Sequence, residues 1–172
     1  MRIAAVMSIA AALMSTALAG TEPGSHEIAE PPRSQSAQTA APAGSAEDLF
    51  REFGLFGTFA ADCGRPAAPA NPFVTVSAPG GGLVLESNDL GSGYATNRYS
   101  VLSGRRLSAE RLEVTVLFRP GAEGEERQTL IFEVRNNTRR TIFNKVEDGD
   151  VRVRNGVVLS RGVKTPLLKR CG

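Results

Sequence analysis

Hydrophobic and polar residues alternate along most of the chain beyond residue 55. Leu112, Val114, Val116 and Phe118 interleave with Glu113, Thr115 and Leu117, and Leu130, Phe132 and Val134 interleave with Thr129, Ile131, Glu133 and Arg135. Successive side chains of an extended chain change face, so a period of two predicts half-buried antiparallel strands. The same pattern predicts strands at 55–61, 73–77, 83–86, 94–102, 139–146, 151–154 and 157–159, with Ala95, Tyr99 and Val101 facing inward. Turn residues separate them: Pro79-Gly80-Gly81-Gly82, Asn88-Asp89, Gly91-Ser92-Gly93, Pro120-Gly121 and Asn136-Asn137. Asp148-Gly149 and Asn155-Gly156 are the strongest hairpin signals, because both pairs tolerate positive φ. One segment breaks the period. Ser45-Ala46-Glu47-Asp48 opens a short helix, capped by Ser45 with Asp48 at the third helical position. Leu49, Phe50 and Phe53 share one side of it, and Gly54 stops it.

Short strands with closely spaced turns, no βαβ rhythm and no internal repeat predict an all-β fold: an antiparallel meander of about eight strands after a short N-terminal helix. A meander of that length hides its edges best by closing into a barrel. The β-barrel domain is expected over 45–172.

The chain ahead of it reads differently. Arg2 supplies a positive start, Ile3 to Leu13 an apolar run, and Ala17-Leu18-Ala19 a small-x-small cleavage site. Residues 1–19 are therefore expected to be a secretory signal peptide, cleaved after Ala19, which directs the chain to the periplasm or beyond. A lipoprotein would carry cysteine directly after that site, and Gly20 stands there instead. No later run reaches the ~18 apolar residues that a membrane-spanning helix needs. Residues 20–44 are rich in Ala, Pro and Ser and poor in large apolar side chains, which predicts a disordered leader. The single histidine, His26, falls in it and reads as incidental.

The formal net charge is +2, and removing Arg2 with the signal leaves +1. Near-neutrality argues against a nucleic-acid partner. The charge is nonetheless uneven: Arg127, Arg135, Arg139, Arg140, Lys145, Arg152, Arg154, Arg161, Lys164, Lys169 and Arg170 crowd the later strands. These side chains either face an anionic partner or cover solvated strand faces, and the second reading is favoured.

Most catalytic chemistry lacks its residues. Without a histidine in the domain there is no Ser-His-Asp or Cys-His pair and no His/Cys zinc cluster. There is no phosphate loop or dinucleotide fingerprint, and Gly80-Gly81-Gly82 reads as a turn. No catalytic residue, cofactor or metal is expected, and a carboxylate-pair enzyme is the remaining catalytic option. Glu147-Asp148-Gly149-Asp150 reads as a hairpin tip, because it lacks the alternating ligands and distal Glu of a calcium loop. Asn136-Asn137-Thr138 matches a glycosylation acceptor on a turn that would hold those residues anyway. Cys63 and Cys171 are the only cysteines. An even count in an exported chain predicts a disulfide between them, and no histidine or other activating group accompanies Cys63.

A resemblance attaches to the first strand, where the aromatic-bearing helix runs into Gly57-Thr58-Phe59. This resembles the start of a lipocalin or calycin barrel, in which Gly-x-Trp follows a short N-terminal helix. The resemblance implies that Gly57 and Phe59 pack across the closed end of the barrel, Phe59 in place of the Trp. It also implies a covering basic residue from near the last strand, for which Arg154 and Arg161 are the candidates. The layout of signal, leader, Gly-x-aromatic, early cysteine and final cysteine is similar to that of small exported barrel proteins of the proteobacterial periplasm. It is also similar to the lipocalin-like barrels of bacterial metalloprotease inhibitors. The expectation is a non-enzymatic periplasmic or secreted binding protein for a small or amphipathic ligand or an envelope protein. The alternative is a protein–protein module, such as an inhibitor of a secreted hydrolase.

Overall fold

The computed structural model describes residues 44–172. The signal peptide and the leader expected ahead of them lie outside the described residues.

A helix, α1 (Ala46–Glu52), precedes β1 (Gly57–Ala60), β2 (Phe73–Gly80), β3 (Leu83–Asp89), β4 (Asn97–Ser108), β5 (Arg111–Phe118), β6 (Glu126–Arg135), β7 (Thr138–Val146), β8 (Val151–Arg154), β9 (Val157–Val158), β10 (Val163–Lys164) and β11 (Leu168–Arg170). The Ser45 hydroxyl accepts the Asp48 N–H at 3.1 Å and donates to the Asp48 carboxylate at 2.7 Å, which supplies a partner for an otherwise orphaned helical donor. Gly54, at φ +63°, turns the chain out of the helix so that the Leu55 N–H reaches Phe50 O at 2.8 Å.

From β1 to β7 each strand pairs antiparallel with the next. The short C-terminal strand β11 lies between β7 and β1, with Leu168 opposite Arg139 and Arg170 opposite Phe59. The fold is therefore an eight-stranded closed antiparallel barrel with additional strands and one short helix. The closing strand falls in the stretch after Thr165-Pro166, too short to show a period of its own. The strands expected at 151–154 and 157–159 instead leave the barrel. β8 pairs with the far part of β7, β9 with β8, and β10 with β9 as the last strand in the order. The Thr165 hydroxyl, donating to Thr141 O at 2.7 Å, ties the returning chain to β7 before β11 begins.

Asn136-Asn137 and Asn155-Gly156 turn with positive φ at both residues, as their hairpins require. Asp148-Gly149 does not. Gly149 stays out of the left-handed region, and its N–H closes the turn onto Val146 O at 3.2 Å. The fourth strand starts at Asn97, which leaves Ala95 exposed in the preceding loop, and it continues past residue 102 to Ser108. Its far part passes beneath the helix at Gly104, where a Cβ would lie 3.0 Å from Leu49 Cδ1.

Inward positions of the strands supply Phe59, Val74, Val76, Val84, Val101, Leu112, Val114, Val116, Leu130, Phe132 and Leu168 to one core. Leu49, Phe50 and Leu55 join it from the helix and the turn after it. Phe50 meets Phe132 edge-on at 6.4 Å, and Phe53 lies under the Arg106 guanidinium at 5.1 Å. The helix thus closes the end of the barrel where β4 finishes and β6 turns into β7. The other end is the mouth, bounded by the loops at 61–72, 90–96 and 119–125 and the turn at 147–150.

Candidate binding site at the barrel mouth

Strand register carries the inward face from apolar to polar toward the mouth. Val84 on β3 is followed by Glu86 and Asn88, Val101 on β4 is preceded by Tyr99, and Leu130 on β6 is preceded by Gln128 and Glu126. The pairings Glu86–Tyr99, Tyr99–Phe118 and Phe118–Glu126 run this polar tier around the wall, and Leu130–Asn144 adds β7.

The floor of the tier is an ion pair that spans the barrel. Arg139, from β7, donates through Nη2 to Glu86 Oε2 on β3 at 2.9 Å, with side chains 3% and 10% exposed. Its guanidinium stands 4.2 Å from the Phe132 ring centre and 5.7 Å from that of Phe59. Ring faces are negative, so both aromatic contacts and the carboxylate compensate a cation withdrawn from water. Arg139 Nη1 has no hydrogen-bond partner among the described residues.

Above it, Gln128, 2% exposed, accepts from Asn144 Nδ2 at 3.0 Å and donates to Glu126 at 2.9 Å. Glu126 also receives Arg152 through both carboxylate oxygens, at 2.9 and 2.8 Å. This hydrogen bonding from Arg152 holds the Glu126 carboxyl below the usual carboxylate range. Tyr99 packs against Phe118 at 5.0 Å between ring centres, and Arg119 lies over Phe118. Burial, and then the Glu86 carboxylate beside it, push the Tyr99 phenol above the usual tyrosine range. Asn88 Oδ1 and Asn144 Oδ1 are buried acceptors without a partner among the described residues.

Of the residues expected at the barrel end, Phe59 is 1% exposed in the core, and Gly57 takes φ +112° with the Arg170 guanidinium over it. Arg154 and Arg161 are both exposed and do not cover Phe59. The cation over that ring is Arg139. The physical reason is the departure of β8 to β10 from the barrel, which carries Arg154 and Arg161 away from its axis. Arg139 instead sits opposite Val134 and Leu168, at an inward register position. Sequence reading missed Glu86, Asn88, Gln128, Arg139 and Asn144. The signal available was a polar residue standing on the apolar phase of an alternating strand, as with Glu86 after Val84 or Gln128 before Leu130.

Cys63 and Cys171 form the expected disulfide, with Cα atoms 5.6 Å apart. The Cys171 N–H also donates to Thr58 O at 2.8 Å. Much of the basic later half is neutralised locally: Arg127 pairs with Glu147, Arg135 with Glu110, Arg140 with Glu133 and Arg152 with Glu126. Surface clefts open outside the barrel, one of about 390 Å³ beside α1 lined by Phe53, Arg106 and Val134, another of about 720 Å³ along β8 and β9. Among the described residues no three His, Cys, Asp or Glu side chains are placed to hold a metal ion, and no helix is long and apolar enough to cross a membrane.

These features define a class: a small disulfide-bonded antiparallel β-barrel, packed at its helix end and polar at its mouth. No protein-family model, curated protein or solved structure matches the chain.

Proposed function

We propose that the chain is an exported, non-enzymatic, lipocalin-like binding protein that takes a small polar or amphipathic ligand at the barrel mouth. The observation that carries this is the pair of unpartnered carboxamide oxygens, on Asn88 and Asn144, set in a polar tier above a packed core. Buried polar atoms left unsatisfied are costly, and a ligand or water with hydroxyl or amine donors relieves them. The acids of the tier, Glu86 and Glu126, are each committed to an arginine, which supports binding over carboxylate catalysis. The disulfide supports a periplasmic or secreted location.

The test uses the mature chain and the side-chain amide resonances of Asn88, Gln128 and Asn144. Methyl glucoside, glycerol phosphate and a short alkyl glucoside serve as polar, anionic and amphipathic probes. Saturable movement of these resonances with at least one probe is the expected result. Unmoved resonances with all three at millimolar concentration would remove the small-ligand reading.

The second reading, a protein–protein module such as an inhibitor of a secreted hydrolase, is favoured by one observation: wide clefts open on the outer surface and along β8 and β9. Pull-downs with chains starting at residue 20 and at residue 45 test it. A partner retained by both assigns the contact to the barrel, and a partner lost with residues 20–44 assigns it to the leader.

A further inference from the structure

The sheet formed by β8, β9 and β10 has two dissimilar faces and one open edge. The pairings Val153–Val158 and Val158–Val163 set three valines side by side on one face. This row runs from buried Val153, 8% exposed, to Val163, 49% exposed, at the edge. The pairings Arg154–Val157 and Val157–Lys164 set two cations on the opposite face. Arg161 stands in the turn between β9 and β10. None of Arg154, Arg161 and Lys164 makes an ion pair with another described residue, unlike the arginines of β6 and β7. Among the described residues, β10 has a hydrogen-bonded neighbour on one side only.

We propose that the β10 edge receives an extended segment of a partner protein in which acidic and apolar residues alternate. A strand laid antiparallel beside β10 sets one residue opposite Val163 and the next opposite Lys164. Side chains directly opposite on one face interact, so the first position selects an apolar residue and the second an acid. Arg161, in the turn that leads into β10, adds a second cation at the same edge. Main-chain hydrogen bonding to an exposed edge, with side chains selecting alternate residues, is a general mode of peptide recognition. A second copy of this chain is disfavoured at the same edge, because it would bring Lys164 and Arg161 against their own counterparts. The charge that prevents self-pairing is thus the charge that admits an acidic strand. This surface is separate from the amides of the mouth, and the proposal goes beyond the small-ligand reading.

The experiment adds a synthetic octapeptide of alternating Glu and Val to the isotope-labelled mature chain, with a Lys–Val octapeptide as control. Backbone amides of 157–164 are expected to shift with the Glu–Val peptide and to stay in place with the control. The Arg161→Glu/Lys164→Glu double variant is expected to weaken binding about tenfold. Both side chains are exposed, so the fold is expected to persist. Val163→Ser is the second variant, expected to weaken binding without any change of charge. Equal binding of the two peptides, shifts confined to Asn88, Gln128 and Asn144, or unchanged affinity in the variants overturns the proposal. Sedimentation showing the wild-type chain paired with itself through β10 overturns it as well.

Discussion

Arg139 concentrates the energetics of the barrel interior in one side chain. It crosses from β7 to β3, meets Glu86 and stacks on Phe132. Removing one partner of a buried ion pair leaves the other uncompensated, so Arg139→Ala is expected to cost about 3–5 kcal/mol in urea unfolding. The double replacement Arg139→Met/Glu86→Leu is expected to recover most of that loss, since it leaves no buried charge alone. If the double variant is as unstable as the single, packing on Phe59 and Phe132 outweighs the ion pair. Tyr99 gives a pH signature. Its phenol is raised in the folded state above the ordinary value of 10.0. The folded state therefore holds the proton more tightly, and this contribution is fully present below pH 10 and lost as pH rises above it. Tyr99→Phe is expected to flatten the alkaline fall of the melting temperature. In a Tyr94→Phe background, ultraviolet titration should show the remaining phenol ionising above the usual tyrosine range.

At the scale of elements, the loops of the mouth are built as carefully as the strands. Asn71 joins the loop after β1 to itself: its Nδ2 donates to Asp62 O at 3.0 Å and Pro66 O at 3.2 Å, and its Oδ1 accepts the Asp62 N–H at 2.9 Å. That loop packs against the loop after β3 at Gly91, which takes φ +88°, and a Cβ there would stand 2.3 Å from Ala67 O. Gly91→Ala therefore combines left-handed strain with a backbone collision. Gly82, at φ +77° with open space around it, would meet the strain alone. Gly82→Ala is expected to lose about 1 kcal/mol, and Gly91→Ala clearly more, with altered amide resonances in both loops. Equal losses would show that the loops yield freely. The short strands depended on neighbours rather than on pattern. Leu112 to Phe118 announces β5 by its alternation, whereas Leu168–Arg170 is three residues long and becomes a strand only because β7 and β1 leave a place for it.

For the whole molecule, the disulfide and β11 do one job, holding the last strand against the first. The β1–β11 ladder has only the pairs Phe59–Arg170 and Ala60–Lys169 beside the Cys171–Thr58 hydrogen bond. The cross-link closes a separation of 108 residues. Cys63→Ser/Cys171→Ser is expected to lower stability by roughly 2–5 kcal/mol. Early opening of the ladder should be seen as faster hydrogen exchange at the backbone amides of positions 170 and 171, and unchanged exchange there would mean that the ladder holds itself. The sequence by itself determined the all-β class, the capped helix, the cysteine pairing and most of the turns, Asp148-Gly149 excepted. Those follow from local periods, from φ preferences and from the count of two cysteines. It did not determine which basic residue would enter the core. Arg139, Arg154 and Arg161 look alike along the chain, and only the departure of β8 to β10 from the wall, with the return of β11, sends Arg139 inward and leaves the other two outside. Glu86 was equally unreadable as the partner of Arg139, because that pairing acts across the barrel, between residues far apart in the chain. Local pattern sets which residues can form strands; closure of the barrel sets which of them meet.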